Sequence, residues 1–420
     1  MSLRASSLLL CTVVFLSACS ERGTSLEEEA EWADIQPLTN KAAEMVVDEP
    51  SSTNLSALVM ESEGADYAPL ARRLKAMLSV ERAVGETLLT GEELLFDYEQ
   101  RFIRMEQDVV LVDDGGKLKA DLLEGQFSVS NEVEHIEAKG HVWLEVPHPE
   151  GRAEVTGELL TLDRENRVVR MEKNVVVIDA RGEFRSDLLI GNFSVSNELE
   201  TIEAQGHVRM DSEGRTAVAE NAHYNYRTGF IRLEGQASVA EGKSHLSGER
   251  IRLWTLNERK LICEPNVVLR ITGEQLEGSP GGEAVDTEIR AGLLVYNESE
   301  RLAVFQEKVR VRDPLAALNC GRLRLHLKES NEIDWTEALS EVIIHSDGWK
   351  ALADRASYYA DDSKFVLDGE PTIKQGPNIM TGDQIIFWQE TQRMVCEPNA
   401  HALLYPTEEM KAKFLKDLNE

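Results

Sequence analysis

The stretch Ile136-Glu137-Ala138-Lys139-Gly140-His141-Val142 returns 66 residues later as Ile202-Glu203-Ala204-Gln205-Gly206-His207-Val208. A looser copy stands at Ile231-Arg232-Leu233-Glu234-Gly235-Gln236-Ala237. In each copy apolar and polar residues alternate up to a glycine. One residue intervenes, and an apolar residue then opens a second alternating run, as Val142, Leu144 and Val146 do against Trp143 and Glu145. Alternation with period two gives a strand one buried and one wet face. The shift of 66 also maps Thr90-Gly91-Glu92 onto Thr156-Gly157-Glu158, Met105-Glu106 onto Met171-Glu172, and Asp121-Leu122-Leu123 onto Asp187-Leu188-Leu189. No gap is needed, and about 31 of 57 aligned positions are identical, which reads as duplication of one structural unit.

A shorter period lies inside that unit. The apolar residue after the turn recurs at Val109, Val142, Val175, Val208, Ala237, Val267, Val309, Val342, Thr372 and Ala400. The spacings are 33, 33, 33, 29, 30, 42, 33, 30 and 28 residues. Ten turns of roughly 30 residues thus cover about 90–406, each read as two short strands separated by turn signals such as Asp114-Gly115-Gly116 and Arg227-Thr228-Gly229. Regular strands without helical spans predict an all-β stack, not βαβ units. The expected fold is a stacked β-jelly-roll of about ten two-strand turns, V-shaped in section, with an unpaired strand at each end. The long interval from 267 to 309 contains Gly278-Ser279-Pro280-Gly281-Gly282. It divides the repeat into a first part, 89–277, and a second, 283–406, as one long jelly roll with an enlarged loop or as two fused ones.

Composition excludes whole classes. The 420 residues carry 45 basic and 75 acidic side chains, a net charge of −30. That balance argues against a nucleic-acid partner, which needs clustered Lys and Arg. A hydrophobic content of 42% suffices for a core, and aromatics at 6% make that core mostly aliphatic. Five cysteines in this length are too few for a disulfide scaffold. Arg4 precedes an apolar run from Leu8 to Leu16, too short to span a bilayer comfortably and patterned as a secretory signal, residues 1–19. Residues 20–66, with Glu27, Glu28, Glu29, Glu31 and Asp34, read as an acidic flexible tether. Pro69 and the i, i+4, i+7, i+8 set Leu70, Leu74, Met77 and Leu78 predict a short N-terminal helix over 67–88. Residues 407–420 form a C-terminal tail of helical composition.

Two resemblances follow from these residues. Leu16-Ser17-Ala18-Cys19 resembles a bacterial lipobox, which implies acylation of Cys19 and a membrane-anchored periplasmic lipoprotein. Ser20, rather than Asp, after that cysteine implies the outer membrane over the inner. The repeated phrase ending Gly140-His141-Val142 and Gly206-His207-Val208 is similar to the OstA-like family, over about three quarters of the chain. That family includes the periplasmic lipopolysaccharide-transport proteins LptA and LptC and the N-terminal domain of LptD. The resemblance implies an apolar trough that shields acyl chains of lipopolysaccharide or another lipid. It also implies edge-to-edge assembly with other transport proteins. The chain departs from the family in its length, its lipobox and its acidity.

The trough-lining candidates are Val142, Leu144, Val175, Val177, Val208 and Met210. Each buried methylene contributes about 0.8 kcal/mol, so acyl chains can be held without charged contacts. The same side chains would equally close a dry core, and a structural envelope scaffold that binds no lipid is the competing reading. His141 and His207 occupy equivalent positions and are read as copies of one repeat position, not as a metal pair. Cys263, Cys320 and Cys396 are read as small apolar fillers. No HExxH, phosphate loop or Cys-x-x-Cys occurs, so no catalytic residue, metal or cofactor is expected.

Overall fold

The computed structural model describes residues 88–405, apart from 114–115, 130–132, 149–150, 181, 196–198, 213, 243, 257–258, 273–285, 314–315, 330–332, 347, 389–390 and 392. The expected signal, tether, tail, Gly278–Gly282 segment and N-terminal helix lie outside the described residues, except Leu88, which opens a strand. Every described element is a β-strand, and all the strands join one antiparallel sheet. The chain runs through it as a meander: Phe102–Asp113 pairs with Gly116–Phe127, that strand with Val133–His148, and that in turn with Gly151–Asp163. The fold is the all-β stack that the alternation predicts.

The strands are longer than the sequence suggested. Most run 11 to 16 residues because the turn between the two alternating halves is not a chain reversal but a bend within one strand. At the bend two successive residues take left-handed φ: Gln107 and Asp108, Gly140 and His141, Lys173 and Asn174, Gly206 and His207, Gly235 and Gln236, Glu307 and Lys308, Ser340 and Glu341, Gly369 and Glu370. At Asn266 and Asn399 the left-handed residue follows a proline. The pairing register shifts there, as between Glu106 and Val109 or Lys139 and Val142, which marks a bulge. A bulge bends the strand and lets it continue on the second face of a folded sheet.

The residue after each bend fills the crease. Val109, Val142, Val175, Val208, Ala237, Val267, Val309 and Val342 are at most 3% exposed. Each faces a small residue across the ladder: Ala120, Gly157, Ser186, Ala219, Gly248, Ala291, Cys320 and Ala353 in the same order. At the inside of a bend there is room for one branched side chain per strand pair, so large and small alternate. In the ninth turn the crease residue is Pro371, which is buried, and not Thr372, which is half-buried. In the tenth, Ala400 stands exposed just before the terminal strand His401–Leu403.

The pairing continues through the long interval. Val267–Thr272 pairs with Asp286–Ala291, and that strand with Leu302–Arg312. One cluster of buried side chains runs from Ala217 to Ile385, across both sides of the interval. A second cluster runs from Met105 to Val175.

Candidate functional site

The inner face is less enclosed around the end of the second cluster, at Val175, and before the start of the first, at Ala217. On the half of each strand beyond the bend, one inward row can be followed from strand to strand. It reads Leu111, Leu118, Leu144, Val155, Val177, Phe184, Met210, Ala217, Val239, Leu246. Leu118 at one end and Ala217, Val239 and Leu246 at the other are buried. From Leu144 to Phe184 the row is half-buried, and Met210 is 37% exposed. A cross-strand neighbour points to the same side of a sheet. Met210, paired with buried Ala217, therefore points inward and is nevertheless open to solvent.

The six trough candidates divide accordingly. Val142, Val175 and Val208 occupy the crease and are enclosed. Leu144, Val177 and Met210 lie two residues further along the same strands, on the half-open row. Val155 and Phe184 complete that row and were not among the candidates. Both are missed because the candidates come from the runs that follow a turn, whereas Val155 and Phe184 stand before the bend on the partner strands. No side chain on this row is ionisable, so the surface it offers is apolar throughout.

A second pattern had no reading in the sequence. Each small crease residue is followed, in most turns, by an acid: Asp121, Glu158, Asp187, Glu220, Glu249, Asp354 and Asp383. These carboxylates stand over the bend of a neighbouring strand. Asp121 accepts from His141 Nδ1 and Asp187 from His207 Nδ1, both at 2.8 Å. Asn174 donates to Glu158 at 3.3 Å and Asn399 to Asp383 at 2.9 Å. His141 and His207 are thus bend residues with one carboxylate each, and no group able to hold a metal is found among the described residues.

The Asp121 carboxylate raises the His141 pKa above its ordinary 6.5, chiefly through the hydrogen bond and then through charge attraction. A raised folded-state value means the contact stabilises the fold below the ordinary histidine range and is lost as pH rises through the raised value. Both groups are exposed, so the effect on stability is small. The expected result is a His141 ring titration displaced upward, and Asp121→Asn returning it toward 6.5, read by NMR. An unchanged midpoint in Asp121→Asn would show that the carboxylate does not act on the ring.

The thiols are inert fillers. Burial pushes Cys263 up to about 12 and Cys320 up to about 11, so both stay protonated at neutral pH. Cys263 and Cys396 fill equivalent places, each against a glycine (Gly248 and Gly382) whose added Cβ would lie 2.5 Å from the sulfur.

Residues 192–259 and 288–393 match the family model described as the LptA/(LptD N-terminal domain) LPS transport protein. Among solved structures, the chain is similar to LptH, the LptA homologous periplasmic component of the conserved lipopolysaccharide transport device from Pseudomonas aeruginosa. The identity is 14% and the TM-score 0.27, over 29% of this chain and 95% of that one. No curated protein matches. Over those two segments the chain is similar to the LptA/LptD N-terminal family, and the left-handed bend recurs in both, at Gly206-His207 and Gly235-Gln236 in the first and at Glu307-Lys308, Ser340-Glu341 and Gly369-Glu370 in the second.

Proposed function

We propose that this protein is a periplasmic lipid carrier of lipopolysaccharide transport that shields acyl chains on the half-open inner row and joins its partners edge to edge. One observation carries the reading: the row from Leu144 to Met210 is apolar, faces inward and is not closed over, with Leu144, Val155 and Val177 half-buried against the first core and Met210 37% exposed. Apolar surface left open on an inner face gains free energy by covering itself, at about 25 cal/mol per Å². An acyl chain is a cover of matching chemistry and needs no charged contact, which accommodates the acidity of the chain.

The two ends support assembly. Glu93–Asp97 pairs on one side with Phe102–Asp113, and His401–Leu403 with Asn378–Thr381. No described strand takes their other edges. Leu94, Leu95 and Tyr98 at one end, and Leu403, Leu404 and Tyr405 at the other, are about half exposed or more. Edges of this kind are templates for a further strand. Anchoring through an acylated Cys19, with the outer membrane as the site, is part of the same proposal and rests on the lipobox-like sequence.

The test is site-specific photo-crosslinking in cells. Crosslinkers at Leu144, Val177 and Met210 are expected to capture lipid, and those at Val142, Val175 and Val208 to capture none. Mass spectrometry of lipid extracted with the purified chain identifies the cargo. A chain that carries no lipid and crosslinks none at Met210 is a scaffold, and the carrier reading falls.

A further inference from the structure

One part of the outer surface of the sheet carries a charge pattern opposite to that of the chain. Beyond the bend, one outward row reads Arg270, Glu288, Arg312, Ala317, His345, Lys350, Lys374, each paired with the next. The neighbouring row reads Val268, Arg290, Arg310, Asn319, Ile343, Leu352, Thr372. These two rows hold six Lys and Arg against one carboxylate, Glu288, which bridges Arg270 at 2.9 Å and Arg290 at 2.5 Å. Asp313 stands at the edge, next to Arg312. Arg310, Arg312 and Lys374 are exposed and Lys350 is half-buried. The same two rows earlier in the stack are balanced: Lys117, Lys119, Arg185 and Arg209 are matched in number by Glu145, Glu154, Glu183 and Asp211. The excess is therefore confined to seven adjacent strands, about 29 Å at about 4.8 Å per strand.

We propose that this basic face docks on the phosphate headgroups of an anionic lipid bilayer. The cations lie on an open sheet face and do not converge, so a single small anion would meet one or two of them at a time. A plane of phosphates meets all of them. The exposed aliphatic side chain of Leu352, with half-buried Ile343 and Val268 in the same row, suits the boundary between headgroups and acyl chains. The net charge of −30 does not oppose this contact. Screening over about 8–10 Å makes the approaching bilayer respond to the face it touches. The proposal stands whether or not the inner row takes lipid.

The test uses the chain from Ser20 onward, which keeps every described residue and carries no acyl group. It is co-sedimented with vesicles of phosphatidylcholine alone and of phosphatidylcholine with one quarter phosphatidylglycerol. Binding is expected on the anionic vesicles only, weakening as salt rises. The pair Arg310→Glu with Lys350→Glu should weaken it about tenfold or more. Arg185→Glu, outside the patch, should leave it unchanged. Circular dichroism checks the fold, and the neutral pair Arg310→Gln with Lys350→Gln is read instead if charge reversal unfolds the chain. Equal binding to both vesicle types, binding to neither, or no effect of the substitutions overturns the proposal. So does displacement by glycerol phosphate at matched phosphate concentration, which would make the phosphate group alone the ligand. A dimer that the substitutions dissociate, with no vesicle binding, would identify a second copy as the occupant and also overturn it.

Discussion

Phe305→Ala is expected to cost about 3–5 kcal/mol of unfolding free energy, whereas Phe184→Ala costs about 1 kcal/mol, both measured by urea denaturation. Both side chains point inward. Phe305 is fully enclosed, pairing with Leu294 and Leu323, which are themselves buried. Truncating it leaves a cavity that rigid strands on both sides cannot collapse. Phe184 lies between Val177 and Met210 on the half-open row, so its removal exposes little that was dry. The second substitution should instead lower lipid capture severalfold. Equal losses of stability would mean that the interval between the two cores is closed, and the carrier reading would lose its basis. In a stack whose turns contact only their neighbours, the Phe305 defect should also uncouple the turns on either side, seen as a broadened transition.

Gly206→Ala is expected to cost about 2–3 kcal/mol, and adding Asp187→Ala should recover part of that loss. Gly206 has φ of 74°, and a Cβ there would lie 2.2 Å from the Asp187 Oδ2 and 2.9 Å from its Cβ. Left-handed backbone alone is tolerated at this position of the repeat, since Lys173, Glu307 and Ser340 adopt it with full side chains. What singles out the glycine is the acid packed closely over it, Asp187 here and Glu220 over Gly235. The same combination recurs at Gly140 beneath Asp121, where a Cβ would again approach the carboxylate to 2.2 Å. At Lys173 the facing acid is Glu158, whose carboxylate lies 3.8 Å from the Lys173 ammonium. If the double substitution is no more stable than Gly206→Ala, the clash is not the cause.

Eight of the ten expected positions, each the apolar residue following a turn, fill the crease. The ninth turn misleads because Gly369-Glu370-Pro371 puts a proline where a valine usually stands, and Thr372 looks the better strand residue. The bend carboxylates were not legible. Asp121 and His141 are 20 residues apart and meet only because two bulged strands pair out of simple register. Leu144, Val177 and Met210 were found in the alternation together with Val142, Val175 and Val208, but nothing in it separates the two sets.

The repeat by itself determined that the chain is an all-β stack, because period-two alternation returns at a steady interval; that the two halves of a turn are one bent strand was decided by the left-handed bulge seen in the structure. The repeat also determined which side chains face inward. How far the two inner faces stand apart at each turn was decided by tertiary structure. The interior closes around Phe305 and remains open at Met210. Alternation specifies the side of a sheet a residue occupies. The volume left across from it depends on side chains contributed by strands that pack together only after the chain has folded.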